Sequence, residues 1–313
     1  MVSERVEFES FGGRCVGWLY RPSAPGPYPL VVIAHGFGAT HALAYWRTAE
    51  ALASAGYAVL DFDPRRLGAS PGEPRQVVRV PDLVEDLRAA LRFARTLDEV
   101  DRSRIAIYGS SLGGGLAIEV AAADPEVAAL ALVVPFVDGR TNLPDVPPWE
   151  RLRLVGVALR DRVGRLLGRP PRLVPAFGMR GVEHALLSSD GADDGVAEEV
   201  LPGGRWVEPR LRYEAGDAVF VNRVAAWEVL DLVQFRPGRR ITEVRAPVFM
   251  ALGARDRVTP IGPQRRAAGR VGARVYVGDF NHFDPFRKSR SFDEVMTPLL
   301  AFLREHVPPV ALP

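Results

Sequence analysis

Lysine is almost missing from this chain of 313 residues, and cysteine is reduced to one. A lone Cys15 excludes an intramolecular disulfide and gives no sign of an oxidising compartment. It falls in a predicted strand, where a packed thiol is expected. Lys288 is the only lysine, so the other basic residues are all arginine. Net charge is only +2, with both signs mixed along the chain. That balance does not point to nucleic acid or to an anionic substrate. The five histidines are scattered, with no His-Glu-x-x-His and no Cys/His cluster, so no metal site is expected. There is no P-loop, and Gly113-Gly114-Gly115 lacks the spacing of a dinucleotide fingerprint, so no cofactor is expected either. No apolar run approaches the roughly 18 residues of a membrane span. The opening Met1-Val-Ser-Glu-Arg5 has no apolar signal core, which makes the cytoplasm the expected location. No internal repeat is visible. What remains is ordinary globular material: 47% hydrophobic and 25% charged residues. Its length suits one large domain, or one domain with an insertion.

In chain order, residues 6–10 and 16–20 read as a hairpin around Gly12-Gly13. Residues 30–34, 57–62, 105–108 and 127–134 are short apolar runs, as expected of strands buried on both faces. Between them, residues 42–55, 83–97 and 112–123 have helical spacing. This alternation predicts a mainly parallel sheet covered on both faces. It breaks at about 139 and returns near 247 with strands at 247–252 and 274–277 and helices at 264–271 and 292–306. The expected organisation is therefore a core of 1–138 and 241–313, interrupted by a mainly helical cap at 139–240. In the cap, residues 151–168 form a basic amphipathic helix with Leu152, Val155, Leu159, Val163 and Leu166 along one side. An apolar face over an active-site cleft is the favoured reading; a membrane-surface segment is the alternative. Residues 188–200 read as an acidic loop entering a short helix, and 217–233 as a helix.

The chain is organised around residues 104–120, where a β-branched run meets a glycine-rich turn and then a helix. Gly109-Ser110-Ser111-Leu112-Gly113 fits G-x-S-x-G, the nucleophile elbow. There the serine is held at the end of a strand, and the following N–H, here Leu112, points to where an oxyanion would form. Ser110 is out of register. Gly68-Ala-Ser70-Pro-Gly72 also fits the pattern, but Pro71 has no N–H to offer, so Ser70 is rejected.

A serine needs a base, usually a histidine oriented by a carboxylate. In this fold the order is serine, acid, histidine. His35 and His41 precede the serine, His184 lies in the insertion, and His306 ends the last helix. His282, after the last strand, has the order and the placement. Asp256 follows the strand at 247–252 and is the favoured acid; helix capping is its non-catalytic alternative. Asp138 is the rival, and Asp284 is placed to shape the histidine loop. The second oxyanion donor should come from His35-Gly36-Phe37-Gly38, through Phe37 N–H, with His35 holding the loop. Phe177, Trp206, Phe220 and Trp227 could line an acyl pocket or could equally be cap core.

At these residues the sequence resembles the α/β-hydrolase superfamily. His35-Gly-Phe-Gly38, Gly109-Ser-Ser-Leu-Gly113, Gly253-Ala-Arg-Asp256-Arg-Val-Thr-Pro260 and His282 span nearly the whole chain in the right order. Phe62-Asp-Pro-Arg-Arg66 through Gly72 and His282-Phe-Asp-Pro285 look like the esterase and dipeptidyl-peptidase-like branches, with Pro64 and Arg66 departing from the usual residues. The resemblance implies an eight-stranded, mostly parallel sheet, a helical cap and acyl-enzyme chemistry. The expected function is a cofactor-free serine hydrolase acting on a small-molecule acyl substrate, most simply a carboxylic ester. The alternatives are a serine peptidase, an acyltransferase or cyclase, and a non-catalytic binding protein.

Overall fold

A computed structural model describes residues 2–43, 45–141, 148–178, 185–188, 200–208, 212–286 and 289–311. The core sheet is made by β1 (Val2–Ser10), β2 (Gly13–Arg21), β3 (Tyr28–Ala34), β4 (Ala58–Asp63), β5 (Val100–Ser110) and β6 (Ala129–Val133). After the insertion, β14 (Val248–Gly253) and β15 (Arg274–Gly278) complete it. The order across the sheet is β1-β2-β4-β3-β5-β6-β14-β15. Only the pairings of β2 with β1 and β4 are antiparallel; every other neighbour is parallel. β6 and β14 pair although the whole insertion lies between them, so the cap is spliced into one continuous sheet.

Every residue of β3, β4, β6 and β14 is buried. That is what unbroken apolar runs dictate when helices cover both faces. Each fully buried Leu, Ile or Val there contributes about 1.5–3 kcal/mol. The helices of the core are α1 (Tyr45–Ser54), α2 (Val80–Ala94), α3 (Leu112–Ala121), α6 (Ile261–Val271) and α7 (Arg290–His306). Cys15 is fully buried, and burial first, then the Asp86 charge, pushes its thiol pKa up. No helix among the described residues is long and apolar enough to cross a membrane.

The insertion is more mixed than its helical expectation. It holds α4 (Pro148–Leu166) and α5 (Glu228–Gln234), but also β7 (Leu173–Val174), β8 (Phe177–Gly178), β9 (Leu187–Ser188), β10 (Arg205–Glu208), β11 (Arg212–Ala215), β12 (Ala218–Val221) and β13 (Val224–Ala225). The helix expected over 217–233 is a correction: its first half is strand. β11 and β12 form a hairpin across Gly216-Asp217, and Gly216 has a φ of +59°. A two-residue turn with positive φ at glycine is a strong hairpin signal, and it was present in the sequence. Most of the loop expected at 188–200 lies outside the described residues.

The cap is tied to the core by its backbone. Gln76 Nε2 donates to the carbonyls of Val221 and Arg223, and Ala225 N–H donates back to Gln76. Thr40 Oγ1 donates to Val219, and Leu201 N–H to Ala42.

Candidate active site

The elbow is formed by three neighbouring strand ends. Ser111 follows β5 with φ +51° and ψ −122°, a conformation disfavoured for a residue with a side chain. Its N–H donates to Val133 at the end of β6, and its carbonyl accepts from Phe136 N–H. These two bonds hold the strained backbone in place. The glycines permit the close approach: a Cβ on Gly113 would lie 2.0 Å from the Ala34 carbonyl oxygen of β3. Next to it, Val134 also has positive φ, at +43°. This turns its carbonyl toward Thr259 Oγ1, 3.0 Å away.

His282 reaches Ser111 from the loop after β15. Its Nε2 is 3.0 Å from Ser111 Oγ, and its Nδ1 is 2.9 Å from Asp256 Oδ2. An ionised carboxylate can only accept, so Nδ1 carries the proton and Nε2 is left to accept from the serine hydroxyl. All three residues are buried, the serine being the most open at 8% exposure. Asp256 is fixed by an Asx turn: Oδ1 accepts from Val258 and Thr259 N–H at 2.9 and 2.8 Å. Thr259 Oγ1 donates to Oδ2 at 2.7 Å. Helix α6 begins at Ile261 with no side-chain cap, so these bonds, rather than helix capping, occupy the aspartate.

The other acids are engaged elsewhere. Asp138 is held bidentately by Arg236, and Asp284 accepts from Asn281 N–H in the histidine loop. Burial is the largest single effect on the Asp138 pKa and raises it, but the Arg236 bonds, the Arg140 N–H bond and the two arginine charges together outweigh it, and the net shift is downward. Ser70 is fully buried; its hydroxyl donates to the Asp63 carbonyl and accepts from Val16 N–H. His306 is on the far helix α7, and His184 lies outside the described residues.

On the opposite wall, Gly36 N–H donates to Tyr45 Oη at 2.8 Å. Gly36 is thereby engaged, and Phe37, the loop residue that borders the cavity at Ser111, stays the candidate oxyanion donor. Leu112 opens α3 and so has no intrahelical acceptor for its N–H. Phe37, Ser111 and Leu112 border one cavity of about 60 Å³, walled by Phe136, Leu186, Leu187, Leu232, Val233 and Val258. Among the described residues no charged side chain borders it.

The four cap aromatics are not among the residues that border this cavity; of their two expected roles, their packing follows the cap-core one. Phe177, Trp206 and Phe220 pack on one another and on Tyr213. Trp227 clusters with Val77 and Ala225 under Arg165. Phe177 comes nearest to the site, against Phe283 beside His282. The walls missed in sequence are apolar residues scattered over the core loops at Phe136 and Val258, the cap segment at Leu186 and Leu187, and helix α5, and they carry no motif. Thr259 and Tyr45 were missed as well. The Asp-x-x-Thr spacing was a readable Asx signal for Thr259; Tyr45 had none.

Behind the loop at 35–38, His35 Nε2 and His41 Nδ1 both bond Asp61, His41 at 2.7 Å. Burial opposes ionisation of Asp61, but the two imidazoles prevail and hold its carboxyl below the usual carboxylate range. Asp63, two residues on, accepts from His41 and Ala69 N–H, yet burial lifts its pKa to about 6. Among the described residues no group of side chains is arranged to hold a metal ion.

Comparison with known proteins adds a family. Residues 26–190 match the family model "Serine aminopeptidase, S33". The quorum-quenching protein AidA of Acinetobacter baumannii is 33% identical over 97% of this chain and 95% of its own length. Polyketide transferase af380 of Aspergillus fumigatus is 28% identical, covering 98% of this chain and 99% of that one. The crystal structure of the α/β hydrolase GrgF from a Penicillium species superposes with a TM-score of 0.76 at 23% identity, over 98% of this chain and 99% of that one.

Proposed function

Because this chain belongs to the serine aminopeptidase family of the α/β-hydrolase superfamily, we propose that it is a serine hydrolase that cleaves carboxylic esters through an acyl-enzyme. The observation that carries this reading is the continuous chain from Asp256 through His282 to Ser111, opening on a cavity whose described walls are apolar. Ser111 Oγ attacks the acyl carbon as His282 Nε2 takes its proton. Asp256 holds the imidazole and stabilises its charged form. Phe37 and Leu112 N–H groups stabilise the oxyanion; each such donor is worth about 10²–10³ in rate. His282 then returns the proton to the leaving alcohol. Water attacks the acyl-enzyme by the same route.

An ester is favoured over a peptide with a free amino terminus. An aminopeptidase must pair an ammonium group, and among the described residues no carboxylate borders this cavity. A second reading, acyl transfer to an alcohol or amine in place of water, is supported by the apolar walls and by the transferase relative. The quorum-quenching relative extends the substrate candidates to signalling molecules.

A panel of linear esters, lactones, thioesters and a peptide anilide, run with and without a competing alcohol, tests both readings. Esters should turn over far faster than the anilide, with free acid as the main product. Ser111→Ala should abolish turnover while melting like wild type. An anilide preference would overturn the ester reading, and activity retained without Ser111 would overturn the site.

A further inference from the structure

The apolar stripe expected to face the cleft faces away from it. On α4, Leu152 and Leu166 are 75% and 82% exposed. Trp149, Val155, Leu159 and Val163 are exposed as well, and Leu167 continues the ridge just past the helix end. At about 100° per residue these positions fall in one arc roughly 120° wide, along a ridge about 28 Å long. The opposite face of α4 is the one that packs. Ala158 is fully buried, and Asp161 is buried with its carboxylate accepting from Arg172 and Trp227 N–H.

Arginines border the arc on both sides. Arg153 and Arg160 lie along one margin and Arg162 along the other, all exposed. The acidic groups facing them from the neighbouring helix α5 are few. Asp231 is 3.6 Å from Arg162. Glu228 is buried; burial first, then the Asp231 charge, lifts its pKa to about 8, so it is largely uncharged at neutral pH. Asp161, the described acid of α4 itself, is occupied inside.

We infer that α4 seats the cap on an anionic lipid surface, lying in the headgroup plane with its apolar arc at the acyl boundary. A ridge of leucine and valine with tryptophan at one end and arginine on both margins suits that interface, because arginine stems lie along apolar surface while their heads reach the phosphates. A second copy of this chain fits poorly. Pairing two such ridges about a two-fold axis sets Arg160 beside Arg160 and Arg162 beside Arg162. An acidic protein fits less well than lipid. Apart from the indole N–H, the arc offers no hydrogen-bonding side chain to fix a protein partner's register. Helix α5 packs on α4, and its Leu232 and Val233 wall the cavity at Ser111. On the ester-hydrolase reading, an acyl substrate dissolved in lipid would therefore lie one helix from the serine.

Sedimentation of the full chain with phosphatidylcholine vesicles, with and without phosphatidylglycerol, tests the inference. Binding is expected only with the anionic lipid and should weaken as salt rises. Leu152→Asp/Leu166→Asp should lose about tenfold or more of that binding, and Arg153→Gln/Arg160→Gln should lose the preference for phosphatidylglycerol. Both variants should hydrolyse a soluble short-chain ester as wild type does, which separates docking from catalysis and from folding. No vesicle binding, or binding unaffected by the leucine substitutions, overturns the proposal in favour of an acidic protein partner. A dimer in gel filtration that Leu159→Asp splits overturns it in favour of a second copy.

Discussion

Two buried aspartates in this molecule bind imidazole, and they make a controlled comparison. Asp256 holds one ring, His282, whose second nitrogen faces Ser111 Oγ at 3.0 Å. Asp61 holds two rings, and neither faces a nucleophile. His41 is stacked on Trp18 with ring centres 3.8 Å apart, and His35 on Tyr45 at 4.3 Å. His35 Nδ1 has no hydrogen-bond partner among the described residues. Asp61 lies inside β4, with β2 and β3 bonded on either side. Asp256 lies just past the carboxyl end of β14, where an open sheet leaves a crevice. The carboxylate–imidazole pair is thus a general-purpose brace. Its position relative to a strand end decides whether it supports a loop or is poised to move a proton.

Substitution of each aspartate should separate the two roles. Asp256→Asn should reduce kcat by about 10⁴-fold with little change in melting, since it removes the acceptor that sets the His282 tautomer. A loss below tenfold would remove Asp256 from the proposed mechanism. Asp61→Asn should act on stability instead. Leaving buried imidazoles without their carboxylate should cost about 3–5 kcal/mol by denaturant titration. The rate per folded molecule should change far less than in Asp256→Asn. A kcat collapse in a stably folded Asp61→Asn protein would erase the distinction.

The Asp61 effect also has a direction in pH. The folded state holds this carboxyl below its unfolded value near 3.8. Between the two values the unfolded chain binds more protons, so stability rises with pH there. The contribution is full above the ordinary carboxylate range and lost as pH falls through the lowered folded value. The stability gap between wild type and Asp61→Asn should therefore narrow below about pH 4; a gap that widened in acid would contradict the assignment. The smallest expected effect is at the brace beside the serine. Thr259→Val removes one bond to Asp256 and should cost about 1 kcal/mol in stability and up to about tenfold in kcat. Unchanged kinetics would mean the Asx turn alone orients the acid.

The strands of the core were legible because doubly covered strands leave near-continuous apolar runs such as Leu30 to Ala34. The positions of Ser111, Asp256 and His282 were legible because a fixed chain order and a glycine spacing marked them. His35 and His282 could not be told apart by chemistry, only by where they fall in that order. The cap was harder. Its strands run two to four residues, too short for periodicity to register. The α4 stripe was read correctly as amphipathic but assigned to the wrong side, because periodicity reports a face and not what meets it.

The backward-bent serine has a further consequence. Ser111 and Val134 stand side by side with positive φ, each at a cost of about 1–3 kcal/mol. The fold is therefore under tension at the proposed nucleophile, and on that proposal durability and turnover pull in opposite directions at position 111. Glycine relaxes that conformation. A library selected only for surviving heat should drift toward Ser111→Gly and lose its hydrolase in doing so. Survivors that kept serine throughout would show that the tension is slight.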